Sequence, residues 1–174
     1  MTHSSQSRKD VVKQTSPASP KALRIGSWNV RSMYQTGKTA QITREMQRNN
    51  LDILGISETH WNQSGQQRLN SGELFIFSGY EEDGPHREGV GLFLSKTARK
   101  TLRGWEKHGP RMMMASFTTR KKNINMNIVQ VYAPTNDAED EVKDSFYNKL
   151  QNGVSKLPNT DVNIIMGDLN AKVG

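Results

Sequence analysis

Val162-Asn-Ile-Ile-Met-Gly-Asp-Leu-Asn170 is an apolar run that stops on a glycine, an acid and an amide. β-Branched residues at this density suit a buried strand, and Gly167-Asp-Leu-Asn170 is a turn at its exit. Towards the N-terminus the same design recurs. Ile124–Ala133 leaves through Tyr132-Ala-Pro134, Leu51-Asp-Ile-Leu-Gly-Ile56 runs into Ser57-Glu-Thr-His60, and Leu23–Val30 contains Ser27-Trp-Asn29. Leu74–Phe77 and Val90–Leu94 are further buried-strand runs, and Met112–Thr119 pairs with Ile124–Ala133 as a hairpin around Arg120-Lys-Lys-Asn123. Within that hairpin Ile124, Met126 and Ile128 alternate with Asn125 and Asn127, which predicts one buried face.

Helices alternate with these strands. Thr39–Asn49 places Ile42 and Met46 one turn apart. A second helix is expected to start at a capping box of Asn136 and Glu139, to line Val142, Phe146, Leu150, Val154 and Leu157 on one face, and to stop at Pro158. The pattern predicts an α/β (α+β) fold with polar residues repeatedly at strand exits, where layered folds hold ligands.

A chain of 174 residues accommodates one domain with a tail. Residues 1–21 are polar and carry a net charge of +3, so they are expected to form a disordered basic tail ahead of a domain at 22–174. Without cysteine there is no disulfide partner, no thiolate zinc site and no cysteine nucleophile. No apolar run approaches the ~18 residues of a membrane helix, and the first residues lack a secretory core. The expectation is an intracellular protein, with the nucleus as one compartment, and no membrane partner; the oligomeric state is left open.

The overall charge of +7 is concentrated. Residues 96–122 hold nine basic side chains against Glu106 alone, whereas 22–95 and 123–174 sum to −1 and −3. Such a run is either a solvated face or an anion-binding patch. Gly37-Lys38-Thr39 is not the end of a P-loop, because the earlier glycine that motif needs would stand at Ser32.

Asn29, Glu58, Tyr132, Asp168 and Asn170 together offer two carboxylates, two amides and a phenol at neighbouring strand ends. An oxygen-rich set of this kind suits a hard divalent ion, Mg²⁺ before Zn²⁺. Such an ion could polarise a phosphodiester while a second carboxylate handles the attacking water.

Ser27-Trp-Asn29, Ser57-Glu-Thr59, Val131-Tyr-Ala-Pro134 and Gly167-Asp-Leu-Asn170 occur in an order and spacing that resemble the endonuclease/exonuclease/phosphatase superfamily. Within it, Arg24–Gly174 most resembles the apurinic-endonuclease-like domain of RTE-type non-LTR retrotransposons. The resemblance implies a DNase I-like two-layer β-sandwich flanked by helices. It implies Glu58 as principal ligand of Mg²⁺, with Mn²⁺ as the alternative ion, and Asn29 helping to place the metal. Asp168 would orient or activate the water, and Asn170 and Tyr132 would contact the scissile phosphate. The implied reaction is Mg²⁺-dependent nicking of DNA.

Two further family motifs, an Asp after an apolar strand and a Ser-Asp-His, do not occur in these residues. The fold is therefore expected to be incomplete at the C-terminus. The chain is expected to be poorly active, since losing a general acid–base group costs about 10²–10⁴ in rate. The alternatives are a non-catalytic nucleic-acid-binding remnant and a phosphatase or phosphodiesterase of the same superfamily. On the nuclease reading, Lys96, Arg99, Lys100, Arg103, Arg120, Lys121 and Lys122 would lie beside the cleft and bind the DNA backbone with little sequence specificity.

Overall fold

The computed structural model describes residues 22–80 and 86–170. The expected tail at 1–21, the loop around Gly84-Pro85 and the last four residues lie outside these. Ile25–Asn29 (β1), Ile53–Ser57 (β2), Gly65–Arg68 (β3), Leu74–Ser78 (β4) and Val90–Leu94 (β5) form one sheet, ordered β1-β2-β5-β4-β3. Leu102–Lys107 (β6), Met112–Thr118 (β7), Asn125–Tyr132 (β8) and Val162–Asp168 (β9) form a second, ordered β6-β7-β8-β9. Helices α1 (Lys38–Arg48), α2 (Lys96–Thr101) and α3 (Asp140–Ser155) complete the described elements.

Three apolar clusters fix the layers. Ile53, Ile76, Leu92 and Leu94 meet Met113, Ala115, Phe117 and Ile128 between the two sheets. Because side chains alternate along a strand, Leu54, Ile56, Phe75, Phe77 and Phe93 face outward instead, against Ile42 and Met46 of α1. Met112, Met114, Val129 and Val131 likewise face Phe146 of α3, with Leu150, Val154 and Leu157 beside it. The order is helix, sheet, sheet, helix, as the resemblance implied.

Two expectations are corrected. The β7–β8 hairpin buries both faces of β8, one on the first sheet and one on α3. Asn127 remains buried because its amide donates to Asp161 Oδ2 (3.0 Å) and Asn163 Oδ1 (2.9 Å). Helix α3 does start near Glu139, but no side chain caps it, so the Asn136–Glu139 capping box does not form. Asp140 and Glu141 in its first turn supply the favourable charge there.

Candidate active site

The two parallel strand pairs bring the polar exits together. β1 and β2 end in register with Asn29 opposite Ser57, and β8 and β9 end with Tyr132 opposite Asp168. Beneath these ends, buried Gln130 donates through Nε2 to the Ile56 carbonyl, 3.2 Å away, and so ties the two sheets together. Gly55 makes room for it, since a Cβ at that position would stand 2.2 Å from Gln130 Oε1.

Glu58 follows β2 in a left-handed backbone conformation (φ 59°), as does His60 (φ 60°). Such conformations persist where the surroundings over-determine them. Here the Thr59 N–H donates to the Gly89 carbonyl (3.2 Å), the His60 N–H to the Glu88 carbonyl (2.7 Å), and the Met33 N–H to the Thr59 carbonyl (2.9 Å). The side chain is also held. Asn29 Nδ2 donates to Glu58 Oε2, and His60 Nε2 stands 3.7 Å from Glu58 Oε1. Asn29 Oδ1 is turned away to accept from the Arg31 N–H at 3.0 Å.

On the other sheet Gly167 has φ 122°, and a Cβ there would approach the Val131 carbonyl oxygen to 2.0 Å. The glycine thus lets β9 close on β8 just before Asp168. The Asp168 carbonyl accepts from the Ala133 N–H (2.8 Å), and its Oδ1 accepts from the Asn170 N–H (2.9 Å). Asn170, itself left-handed at φ 47°, donates through Nδ2 to the Ala133 carbonyl at 2.5 Å. Asp168 and Asn170 therefore form one braced turn against the segment that carries Tyr132.

Tyr132 is the meeting point. Burial raises its phenol above the usual tyrosine value, and the charges of Glu58, Asp168 and Glu88 push the same way, while Arg111 opposes them. The hydroxyl therefore stays protonated at physiological pH. Sequence reasoning missed the residues around it. Arg111 donates from one nitrogen to the Tyr132 carbonyl (3.1 Å) and from another to Glu88 Oε1 (2.7 Å), and its guanidinium lies 5.4 Å from the Tyr132 ring. Tyr80 donates to the other Glu88 oxygen at 2.8 Å. No local motif marks Arg111 or Glu88; they meet only because the loops after β4 and β6 reach this end together.

The donor chemistry at this end fits a hard cation. Among the described residues no three His, Asp or Glu side chains gather closely enough to enclose an ion. Mg²⁺, however, keeps several waters and needs only one or two carboxylates plus a substrate phosphate. Glu58 presents such a carboxylate, and Asn29 meets it with its nitrogen, which suits a residue that orients the ligand.

The seven cations singled out in the sequence are not beside this site. β5 runs antiparallel to β2, with Leu94 opposite Ile53, so α2 and its Lys96, Arg99 and Lys100 begin at the opposite end of the sandwich. β7 is antiparallel to β8, with Thr118 opposite Asn125, so Arg120, Lys121 and Lys122 are at that far end as well. Arg103 joins them at the start of β6, whose Leu102 pairs with Phe117. Sequence adjacency to a strand did not reveal which of its ends a residue occupies.

Residues 26–173 match the family model described as Endonuclease/Exonuclease/phosphatase family. The chain belongs to this family. Endonuclease/exonuclease/phosphatase enzymes generally depend on a divalent metal ion. A curated relative, craniofacial development protein 2 of Bos taurus, is 41% identical over 150 residues, covering 86% of this chain and 24% of that protein. The chain thus spans about a quarter of that relative's length. The 3′ phosphatase NExo from Neisseria, solved as a variant bound to a product DNA hairpin, superposes with a TM-score of 0.62 at 16% identity, over 88% of this chain and 60% of that one. The endonuclease domain of TRAS1, a telomere-specific non-LTR retrotransposon, superposes at 0.58 and 16% identity, over 87% and 62%. These likenesses establish a DNase I-like fold of the nuclease and phosphatase type. No described helix is long and apolar enough to cross a membrane.

Proposed function

We propose that this domain is a Mg²⁺-dependent DNA endonuclease of retrotransposon origin that hydrolyses a phosphodiester and leaves a nick. The observation that carries the reading is that the exits of β1 and β2, with Asn29 and Glu58, and those of β8 and β9, with Tyr132 and Asp168, lie at one end of two sheets that Gln130 ties together through the Ile56 carbonyl. Mn²⁺ is the alternative ion. The cation would supply Lewis acidity at a phosphate oxygen and shield its charge. Glu58 would hold the cation, with Asn29 fixing the carboxylate's orientation. Asp168, whose Oδ1 is already braced by the Asn170 N–H, would orient the attacking water and accept its proton. Neutral Tyr132 would donate to a phosphate oxygen, and Asn170 would donate to the charge that develops there. The DNA-bound phosphatase and the retrotransposon endonuclease among the structural relatives support a nucleic-acid substrate.

The test is relaxation of supercoiled plasmid by the purified chain with Mg²⁺. The expected result is slow metal-dependent nicking, in keeping with the poor activity expected without the two further family motifs, which Asp168→Asn lowers by about 10²–10⁴. Equal nicking by the variant would overturn the assignment of Asp168. The concentration of cations at the end away from the cleft favours a second reading, a nucleic-acid-binding domain without catalysis. That reading is distinguished by salt-sensitive gel shifts with no Mg²⁺-dependent nicking.

A further inference from the structure

We infer that the end of the sandwich opposite the cleft is a separate binding surface for the backbone of duplex DNA. It is built from α2, the start of β6 and the β7–β8 hairpin. The three pieces are neighbours: Thr118 Oγ1 donates to the Thr101 carbonyl at 3.4 Å, and Arg103 reaches Ser116 Oγ at 3.5 Å. Lys100, Arg103, Arg120, Lys121 and Lys122 are all exposed. Among the described residues, no ion pair joins any of them to a carboxylate. With no acid paired to them, the five leave a concentration of uncompensated positive charge at this end, which attracts an anionic partner.

The partner follows from the chemistry of the surface. It presents guanidinium and ammonium groups from three chain segments, which suits a repeating row of phosphates better than a single small anion. The exposed large aromatics among the described residues, Tyr34 and Tyr147, lie elsewhere, and Trp105 of β6 is half-buried and packed against the core between the sheets, so no fully exposed ring offers a stacking platform here. Tyr34 is in the loop after β1, and Tyr147 donates to the Leu169 carbonyl, so both belong to the cleft end. Single strands are bound by stacking as well as charge, so duplex is favoured. The eight residues of β8 that separate the two ends measure about 25 Å at ~3.3 Å per residue. The phosphates held here are therefore about seven base pairs or more from the one in the cleft. The surface would anchor DNA away from the point of cutting. The choice of DNA as the polyanion rests on the proposed function; the existence of the surface does not.

The experiment compares the full chain with K100E/K121E/K122E and with the neutralised K100Q/K121Q/K122Q. Folding is checked by circular dichroism. Binding of a fluorescent 30-base-pair duplex is followed by anisotropy over a salt series without divalent ions, and plasmid nicking is measured in parallel. The expected result is at least tenfold weaker binding in the reversed variant and a smaller loss in the neutralised one. The salt slope should fall by about 0.9 for each phosphate contact removed. Unaltered affinity and slope in both folded variants would overturn the inference, as would tighter binding of single-stranded DNA or RNA than of duplex. Absence of nicking by the unmodified chain would count against the proposed catalysis alone, because the anisotropy readout does not depend on it.

Discussion

Arg111 illustrates what a single side chain does at this site. Its guanidinium bonds the Glu88 carboxylate and the Tyr132 carbonyl, so it fixes a loop and a strand exit at once. Its charge also favours the phenolate of Tyr132, against burial and three carboxylates. Removing that charge while keeping the stem, as in Arg111→Met, is expected to raise the Tyr132 pKa further. Ultraviolet difference titration of the variant reads this directly, with Tyr132→Phe identifying the signal. An unmoved titration would mean that Arg111 does not face the phenol in solution. Glu58, Tyr132, Asp168 and Asn170 were legible beforehand, because each ends an apolar run on a polar side chain. Arg111 and Glu88 were not, because each gains meaning only from the other.

At the scale of elements, periodicity identified what buries a continuous face and missed what does not. α1, α3 and the strands β1, β2, β4, β5, β7, β8 and β9 emerge within a few residues of their expected bounds. β3, α2 and β6 were missed. β3 is Gly-Gln-Gln-Arg, and β6 is largely exposed; both are edge strands held by a neighbour's backbone and by Trp105 Nε1 donating to Gln66 Oε1 at 3.1 Å. α2 has Ala98 as its buried residue and depends on the Ser95 side chain accepting from the Ala98 N–H, 3.1 Å away. α3 is anchored differently, by Phe146 against Met112, Met114 and Val131. Phe146→Ala is expected to cost about 3 kcal/mol, read from the urea midpoint, with faster amide exchange along α3. A loss well under 1 kcal/mol would show that the helix docks through other residues.

For the whole molecule, charge and burial set a pH range of stability. Burial works to raise the Glu73 pKa, but hydrogen bonds from Ser71 and Gln47, with Lys96 nearby, hold it below its ordinary value. That contribution is present above the unfolded-state pKa and is lost as the pH falls through the carboxylate range. Burial raises the phenols of Tyr80 and Tyr132. Their contribution is complete below the unfolded value of about 10 and is lost as the pH rises past it. Urea midpoints are therefore expected to be flat near neutrality and to fall at both extremes. In Tyr80→Phe the alkaline fall should be smaller, and an unchanged profile there would remove Tyr80 as a contributor. The sequence by itself determined the buried strands, the two amphipathic helices, the family and the polar residues at four strand exits. Those properties are written in local order, as alternation, helical spacing and short motifs. Only the tertiary structure decided which exits share an end. The antiparallel turns of β5 and β7 carried the basic run away from the cleft it was expected to border. They also left Arg111 beside Tyr132. Strand direction within a sheet is fixed by pairing between distant segments, and no local window of residues contains that information.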